Sequence, residues 1–295
     1  MIDVVAAIVA RNGGALLREA ASDLAAAVGA PNVLVIDNAS NDGSTADLAV
    51  EVQRQTANLG YAAGANRALT WAAQRGAAAL LLLNQDARLG PDDARLMIEL
   101  LASDPNLGAV FAKVVQRDRP YLLDGLLGRR NLRHKLTTGL GAGRIDDGRP
   151  ARPLAVHHGH GAALLLRVSA AREVGGFDER LFAYHDEVDL CWRLARAHWG
   201  VALEPRAVAR HVGPDADANR RRAKNYLLAR NSLLVARKNA GWCGGLRVAV
   251  WALAATLLYY GPTALAGNAD SRALLQGWVD GLLNREARRS VLSTL

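Results

Sequence analysis

The chain has 295 residues, of which 51% are hydrophobic, 5% aromatic and 22% charged, as in a soluble α/β protein and unlike a disordered chain. Its two cysteines, Cys191 and Cys243, provide no disulfide framework and no metal-ligand spacing, which fits a reducing cytoplasm. The net charge of +8 is divided unevenly: residues 1–110 hold 7 basic and 12 acidic residues, and residues 111–295 hold 29 and 16. The acidic first half excludes a protein that coats nucleic acid throughout, whereas the basic second half suits phosphates or an anionic membrane surface.

Strands and helices alternate in the first half with the spacing of βαβ units. The predicted strands are Val4–Val9, Val33–Ile36, Val52–Gln55 and Ala79–Leu83. The predicted helices are Ala15–Val28, a short one around Asp47, Gly64–Gln74 and Asp92–Ala102. No signal peptide is expected, because no basic stretch precedes the apolar residues after Met1.

The fourth predicted strand ends in a carboxylate. Residues 80–86 read Leu-Leu-Leu-Leu-Asn-Gln-Asp, and such a leucine run suits a strand buried on both faces of a parallel sheet. Asp86 then lies at the carboxyl edge of the sheet, where open α/β folds bind their ligands, and can hold a metal ion against a phosphorylated substrate. The alternative is that Asp86 only starts a turn.

Two further polar segments follow predicted strands. Asp37 ends the second strand, where a carboxylate can accept hydrogen bonds from a ribose hydroxyl or a base N–H. Residues 38–44 after it are equally explained as a tight turn that caps a helix. Gly60 and Gly64, within Asn58–Asn66, allow a ligand to approach the backbone and leave amides for a phosphate. This segment matches neither a P-loop nor the dinucleotide fingerprint.

The second half is less regular. The predicted strands are Leu107–Val115, Ala162–Leu166, Val201–Leu203 and Ala207–Ala209, and the predicted helices are Ala170–Val174, Asp186–Ala197 and the basic Lys224–Asn239. Residues 117–153 are rich in Arg, Gly and Asp and predict a long surface excursion. His157, His158 and His160 lack the helical spacing and the cysteines of a zinc site, and an acceptor-side loop is predicted for them.

Residues 248–267 carry no charge and have about the length that spans a bilayer core. Pro262, two glycines and the aromatic residues Trp251, Tyr259 and Tyr260 weaken a simple span. Packing on the protein's own core and binding at a membrane interface are left as equal alternatives.

Eight segments between residues 4 and 240 follow one another in a fixed order: Ile8–Gly14, Val35–Ser44, Asn58–Asn66, Leu82–Ala87, Gly161–Arg167, Val174–Glu179, Tyr184–Cys191 and Arg230-Asn231. As a set they resemble the family 2 glycosyltransferases, which have the GT-A fold and use nucleotide-diphosphate sugars. The resemblance is greatest to the rhamnosyltransferases of cell-wall and polysaccharide assembly. It implies an α/β fold with a mostly parallel Rossmann-type sheet, helices on both faces and a C-terminal helical extension.

The resemblance implies a donor and metal site. Asp86 corresponds to the last residue of an Asp-x-Asp motif that holds Mg²⁺ or Mn²⁺, with Asn84 in place of the first aspartate. One carboxylate is sufficient, because Mg²⁺ also takes phosphates and water. His211 stands where the family often has a histidine near the metal, although a lone histidine is often structural. The residues expected to contact the donor are Asn12, Asp37, Asn58, Gly60, Gly64, Asn66, Asn84 and Arg230.

Residues 186–189, Asp-Glu-Val-Asp, correspond to the family's acidic motif with the first two acids exchanged. The resemblance assigns the catalytic base to Glu187, with Asp186 as the alternative. A base is needed because the acceptor hydroxyl loses its proton as it attacks the anomeric carbon opposite the diphosphate, which gives inversion. The structural alternative, stabilisation of a helix N-terminus, describes Asp189, which can pair with Arg193.

The sequence therefore predicts a metal-dependent, inverting glycosyltransferase that moves a sugar, with rhamnose as the first candidate, to a hydroxyl of a glycan or polyprenyl-linked acceptor. Residues 1–110 are expected to bind the donor, 111–240 to bind the acceptor and carry the base, and 241–295 to form a helical extension. A cytoplasmic location, with peripheral contact to the inner face of the cell membrane, is the corresponding expectation.

Three other functions are weighed against this prediction. The first is a nucleotide-sugar-binding protein without turnover. If the chain is an enzyme, Glu187→Gln should abolish sugar transfer while donor binding stays nearly intact. A nucleotidyltransferase is disfavoured because Arg11–Gly14 contains only fragments of its glycine-rich basic loop. No nucleic-acid partner is expected, since the basic half lacks interleaved aromatic residues.

Overall fold

The computed structural model describes residues 2–130, 136–212 and 218–292, which form two compact units. The sheet unit comprises residues 1–129, 139–177 and 190–213, and the helical unit comprises residues 130–138, 178–189 and 214–295. The functional division at residues 110 and 240 stays a prediction.

The strands are β1 Val4–Ala10, β2 Val33–Asp37, β3 Glu51–Arg54, β4 Ala79–Asn84, β5 Ala87–Arg88, β6 Leu107–Gln116, β7 Leu123–Gly125, β8 Leu127–Arg130, β9 Thr137–Leu140, β10 Leu154–Ala155, β11 Ala163–Arg167 and β12 Gly200–His211. The α-helices are α1 Gly14–Val28, α2 Gly60–Gln74, α3 Pro91–Ser103, α4 Val168–Glu173, α5 Asp186–Arg196, α6 Ala218–Ala255, α7 Gly261–Leu265, α8 Ala269–Leu282 and α9 Arg289–Leu292.

The main sheet has the strand order β10-β12-β6-β11-β4-β1-β2-β3. β1 to β4 are mutually parallel, β12 is parallel to β6, and β11 lies antiparallel between β4 and β6. Because β11 is antiparallel to both neighbours, β6 and β12 point in the same direction as β1 to β4. Their carboxyl ends therefore meet at one edge of the sheet, and the predicted mostly parallel α/β fold is confirmed.

The leucine run of β4 is buried on both faces, as predicted. Leu81 and Leu83 belong to one core, with residues of α1 and α3 such as Leu17 and Met97. Leu80 and Leu82 belong to a second core on the opposite face, which contains the alanines of α2. Burial of each leucine stabilises the fold by roughly 1.5–3 kcal/mol.

Three predicted elements differ from the structure. Residues around Asp47 form a turn rather than a helix, because the N–H and hydroxyl of Ser44 donate to Asp42 and stabilise the turn. The two short strands on either side of Pro205 are one strand, β12, in which a register shift between Glu204 and Val208 accommodates the proline. The excursion at 117–153 contains the short strands β7, β8 and β9, and residues 131–135 lie outside the described residues.

The helical unit is built on α6, which contains the predicted basic helix and bends at Gly241, where φ is 67°. Gly281 allows α8 to approach α6 closely, since a Cβ at this position would lie only 2.6 Å from the Arg230 carbonyl oxygen. The buried Tyr226 hydroxyl on α6 donates to Asp280 on α8 at 2.9 Å. A small residue at the crossing and a buried hydrogen bond therefore fix this helix pair.

Within the described residues, one helical stretch, Ala218–Leu265, is long and apolar enough to cross a membrane, judged by length and composition alone. Only 17% of its most apolar 18-residue window is buried. Packing on the protein's own core therefore does not account for most of this apolar surface.

Candidate active site

Asp86 lies two residues beyond β4, at the carboxyl edge of the sheet. The next residues form β5, which pairs antiparallel with the end of β12 and sets Ala87 opposite His211. The Val212 N–H donates to the Asp86 carbonyl at 3.1 Å. This pairing places His211 Nε2 at 3.2 Å from Asp86 Oδ1, so the predicted metal ligands Asp86 and His211 are brought together.

Asp124 is a second carboxylate at the same place, and the sequence reasoning missed it. It lies on β7, which pairs with the end of β6 and sets Leu123 opposite Val115. On the other side of β6, His211 lies opposite Gln116. These two registers place Asp124 Oδ2 at 2.7 Å from His211 Nδ1.

His160 completes this group from the segment before β11. Its Nε2 atom lies 3.5 Å from Asp124 Oδ2, and its ring centroid lies 5.3 Å from that of His211. Gly125 leaves room for the imidazole, because a Cβ at that position would lie 2.6 Å from His160 Cδ2. We call Asp86, Asp124, His160 and His211 the edge cluster.

The edge cluster has mixed electrostatics. Burial alone lowers the pKa of His211, but hydrogen bonds and charge from Asp124 and Asp86 outweigh burial and raise the pKa to about 9. The imidazolium therefore donates one N–H to each carboxylate. His211 therefore lies between the two carboxylates, and a cation that bound its ring would displace one of these two protons.

The edge cluster fits a divalent cation. One donor atom from each of Asp124, His160 and His211 lies within 4.8 Å of the others, and Asp86 contacts the opposite ring nitrogen of His211 at 3.2 Å. Nitrogen and oxygen donors together suit a transition-metal dication better than Mg²⁺, which prefers oxygen ligands. Asp124 thus supplies, from a distant strand, a carboxylate that Asn84 does not.

Asp37 is the last residue of β2, and Asn12 lies in the loop after β1. The buried carboxylate of Asp37 accepts from the Ser40 N–H at 2.8 Å and from the Thr45 hydroxyl and the Arg54 guanidinium, each at 3.1 Å. The Asn12 side-chain oxygen accepts from the Asn41 N–H at 2.9 Å and ties the two loops together. Their contacts with a nucleoside stay predictions.

Asn58, Gly60 and Asn84 lie at the same carboxyl edge. The Asn58 side chain accepts from the Gly60 N–H at 3.0 Å, and α2 begins at Gly60 rather than at Gly64. Gly60 has a φ of 86°, a conformation that favours glycine. Asn84 is the last residue of β4 and lies opposite Val9 of β1. Donor contacts by these three residues stay predictions.

Gly64 and Asn66 have packing roles on α2. A Cβ at Gly64 would lie 2.5 Å from Val9 Cγ1, so glycine allows the helix to approach β1. The Asn66 amide donates to the Phe177 carbonyl at 2.9 Å and accepts from the Phe177 N–H at 2.8 Å. These contacts are internal, and donor binding by either residue stays a prediction.

The acidic motif begins α5, and its members differ. Burial raises the pKa of Asp186, and the neighbouring carboxylate of Asp189 raises it further. Burial also raises the pKa of Glu187, and the carboxylate of Asp186 adds to that effect. Asp189 is also buried, but it accepts from Lys238 Nζ at 2.9 Å and from the Asn239 amide at 2.7 Å. The first two carboxyls are therefore suited to take a proton, whereas Asp189 is paired with Lys238.

Arg230 is only 2% exposed. Its Nη1 donates to the Arg180 carbonyl at 3.0 Å, and its Nε and Nη2 donate to the Arg285 carbonyl at 3.0 and 2.9 Å. The structure therefore gives Arg230 a role inside the helical unit, and its contact with a diphosphate stays a prediction.

Residues 79–268 match the sequence profile described as glycosyl transferase family group 2. The match covers more than half of the chain. The chain belongs to this family. The match includes both the edge cluster and the acidic motif, so both groups of carboxylates lie within the part that the family shares.

A curated relative supports the rhamnosyltransferase-like resemblance. The N-acetylglucosaminyl-diphospho-decaprenol L-rhamnosyltransferase of Mycobacterium tuberculosis is 29% identical over 242 residues, which cover 72% of this chain and 76% of the relative. A pre-mycofactocin glycosyltransferase of the same species is 50% identical over 50 residues, or 17% of this chain and 10% of the relative. The predicted resemblance to rhamnosyltransferase-like members of family 2 is confirmed.

Solved structures support the fold. The mannosyltransferase PcManGT from Pyrobaculum calidifontis, in complex with GDP-Man and Mn²⁺, matches with a TM-score of 0.57 at 17% identity and covers 97% of this chain and 88% of its own. GalNAc-T7 with UDP, GalNAc and Mn²⁺ matches with a TM-score of 0.57 at 13% identity, covering 73% of this chain and 44% of its own. At these identities the likeness shows the fold alone.

Proposed function

We propose that the chain is an inverting glycosyltransferase that moves rhamnose from a nucleoside diphosphate to a hydroxyl of a lipid-linked glycan. Family membership supports the reaction class, and the name of the mycobacterial relative supports the sugar and a prenyl-diphosphate acceptor. The observation that carries the proposal is the edge cluster at the carboxyl ends of the strands, where α/β folds bind their ligands.

On the donor side, His211 and His160 would hold Mn²⁺ together with one carboxylate of the edge cluster, and the other ring N–H of His211 would donate to the second carboxylate; Mn²⁺ is the ion present with both structural neighbours. A bound cation would neutralise the negative charge that develops on the leaving diphosphate. The loops fixed by Asp37 and Asn12 would orient the nucleoside at the same edge. The protein's own contribution is to hold the His211 ring between two carboxylates.

On the acceptor side, Glu187 acts as the general base. Its carboxylate removes the proton from the acceptor hydroxyl while the hydroxyl oxygen attacks the anomeric carbon. The bond from that carbon to the diphosphate oxygen breaks, and its electron pair leaves with the diphosphate. The raised pKa of Glu187 supports this assignment, because a base needs appreciable proton affinity near the working pH.

We place the acceptor's lipid next to an exposed apolar face of α6. Trp242, Leu246, Val250, Leu253 and Leu257 recur every three or four residues and are 46–73% exposed, whereas Val248 and Ala252 on the other side of the helix are buried. Residues 218–269 contain eight basic residues and no acidic one. An apolar face in a basic segment fits the surface of an anionic membrane, with the helix lying on it rather than crossing it.

A thermal-shift screen of nucleotide sugars with and without Mn²⁺ tests the proposal. We expect dTDP-rhamnose to raise the melting temperature, and to do so only with Mn²⁺, because a ligand that binds only the folded state stabilises it. Equal shifts with and without Mn²⁺ would contradict the cation site. Stabilisation by a different nucleotide sugar, and not by dTDP-rhamnose, would show that rhamnose is not the donor sugar.

A further inference from the structure

The backbone just before the acidic motif has an unusual conformation. Phe182, Tyr184 and His185 have φ values of 64°, 66° and 64°, in the left-handed region that bulky side chains rarely adopt. Phe182 also has a ψ of −62°, and the Ala183 N–H donates to the Leu181 carbonyl at 2.8 Å. This is a γ-turn of the rare, strained type. Such strain persists only where the surroundings hold it in place.

One buried amide holds this turn. The side chain of Asn231 on α6 is fully buried, and its Nδ2 lies 2.9 Å from each of the carbonyl oxygens of Leu181, Ala183 and Tyr184. Phe182 and Tyr184, two of the residues with positive φ, lie within this stretch of carbonyls. Without the amide, the three carbonyls would have fewer partners in a partly buried place, which is costly.

Arg230 orients this amide. Its Nη1 donates to the Asn231 Oδ1 at 2.8 Å, and the same guanidinium is fixed by the Arg180 and Arg285 carbonyls. Because guanidinium can only donate, Oδ1 faces Arg230 and the Nδ2 donors face the turn. The side chains of Arg230 and Asn231 therefore stabilise one conformation of residues 180–185.

We propose that Asn231, oriented by Arg230, is a positioning residue for Glu187. α5 begins at Asp186, directly after the last residue of the turn, so the conformation of residues 181–185 sets where the first turn of α5 and its carboxyls lie. The inference rests on the proposed role of Glu187 as base. It predicts that loss of the three hydrogen bonds moves the base and leaves donor binding intact.

Two substitutions separate hydrogen bonding from packing and charge. Asn231→Asp keeps the shape but has no donor when ionised, and Asn231→Leu keeps the approximate volume without adding charge. We expect both to lower kcat with dTDP-rhamnose about 10²-fold, because small misplacements of a catalytic group have effects of this size. The KM for the donor should change less than about twofold, since the substitutions leave the edge cluster intact.

The matched control is Ser232→Ala, one residue along the same helix, where the hydroxyl donates to the Ala229 carbonyl of its own helix. It should keep the wild-type kcat. Hydrogen exchange of the Ala183 amide gives a readout independent of activity and should be faster in both Asn231 variants, well below their unfolding temperature. If both variants fail to fold, Arg230→Lys, which keeps the charge and loses the planar fork, takes their place in both measurements.

The outcomes are distinguishable. Unchanged kcat in both Asn231 variants, or unchanged exchange at Ala183, would overturn the inference. An increase in donor KM equal to the fall in kcat/KM would also overturn it, because the effect would then lie in binding. If Glu187→Gln, measured in parallel, keeps the wild-type kcat, the base assignment itself fails, and exchange at Ala183 still tests the turn.

Discussion

The sheet unit and the helical unit surround their acids in opposite ways. In the sheet unit, Asp86 and Asp124 contact opposite ring nitrogens of one imidazolium, His211, which offsets part of their negative charge. In the helical unit, Asp186 and Glu187 are adjacent acids whose pKa values are raised by burial and by neighbouring negative charge. The first arrangement pairs carboxylates with a positive group, and the second prepares a carboxyl to take a proton.

The contrast also exists inside the acidic motif. Asp189 lies two residues after Glu187 and is fully buried, and Lys238 and Asn239 both donate to its carboxylate. Partners, rather than residue type or burial, therefore decide which acid can act as a base.

The largest expected effect is on the base. Glu187→Gln should lower kcat about 10³-fold, because the acceptor hydroxyl loses its proton acceptor while the volume of the side chain is kept. The thermal shift produced by dTDP-rhamnose and Mn²⁺ should stay the same. Glu179→Gln, an exposed acid in the preceding segment, is the control and should have wild-type activity. A fully active Glu187→Gln variant would show that Glu187 is not the catalytic base.

The next effect is on the edge cluster. Asp124→Asn should weaken Mn²⁺ binding by about 10–100-fold, measured by titration calorimetry in the presence of dTDP-rhamnose, because one of two carboxylates is lost. Asp118→Asn, which removes an exposed carboxylate six residues earlier, should bind Mn²⁺ as wild type does. Equal affinity in the two variants would show that Asp124 is not a ligand.

The sequence predicted one half of this cluster and missed the other. Asp86 follows a run of leucines, and such a run marks a buried strand and therefore the edge where it ends. Asp124 and His160 carry no local signal, since they lie 38 and 74 residues beyond Asp86 in segments that read as loops. Asp124 joins the cluster through the strand registers between β7, β6 and β12, and His160 joins it from the segment before β11. A register between distant strands cannot be read from the sequence of either strand alone.

The strained turn at residues 181–185 could not be predicted from the sequence either, because it also depends on a residue far away in the chain. Residues 182–185 contain no glycine, so nothing in the sequence indicates positive φ. The conformation depends on Asn231, almost 50 residues away, whose side chain supplies donors that no local residue provides. The helix predicted around Asp47 was wrong for a local reason. Ser44 donates two hydrogen bonds to the Asp42 side chain, and these stabilise a turn instead of a helix.

A smaller effect is expected at the apolar face of the helical unit. Leu257→Asp should reduce sedimentation with anionic vesicles at low salt about tenfold, because an exposed apolar contact and its favourable transfer energy are lost. Glu286→Gln, an exposed polar substitution after α8, is the control. Wild-type protein that does not sediment with these vesicles at all would contradict the membrane contact.

The smallest predicted effect is a shift in the pH profile. Since the pKa of Glu187 is raised, kcat should rise with pH through a midpoint above the ordinary glutamate value of about 4.3, as the base loses its proton. Asp186→Asn removes a negative neighbour and should move this midpoint to lower pH. A midpoint that stays in place would show that the two carboxyls do not interact.

The edge cluster as a cation site is tested most directly by pulsed electron paramagnetic resonance of Mn²⁺ added with dTDP-rhamnose. The account predicts a ¹⁴N coupling from a directly bound imidazole, weakened in His211→Gln and His160→Gln and unchanged in His198→Gln, a histidine in the turn after α5. Bound Mn²⁺ without any ¹⁴N coupling, or a coupling that neither cluster substitution alters, would contradict it.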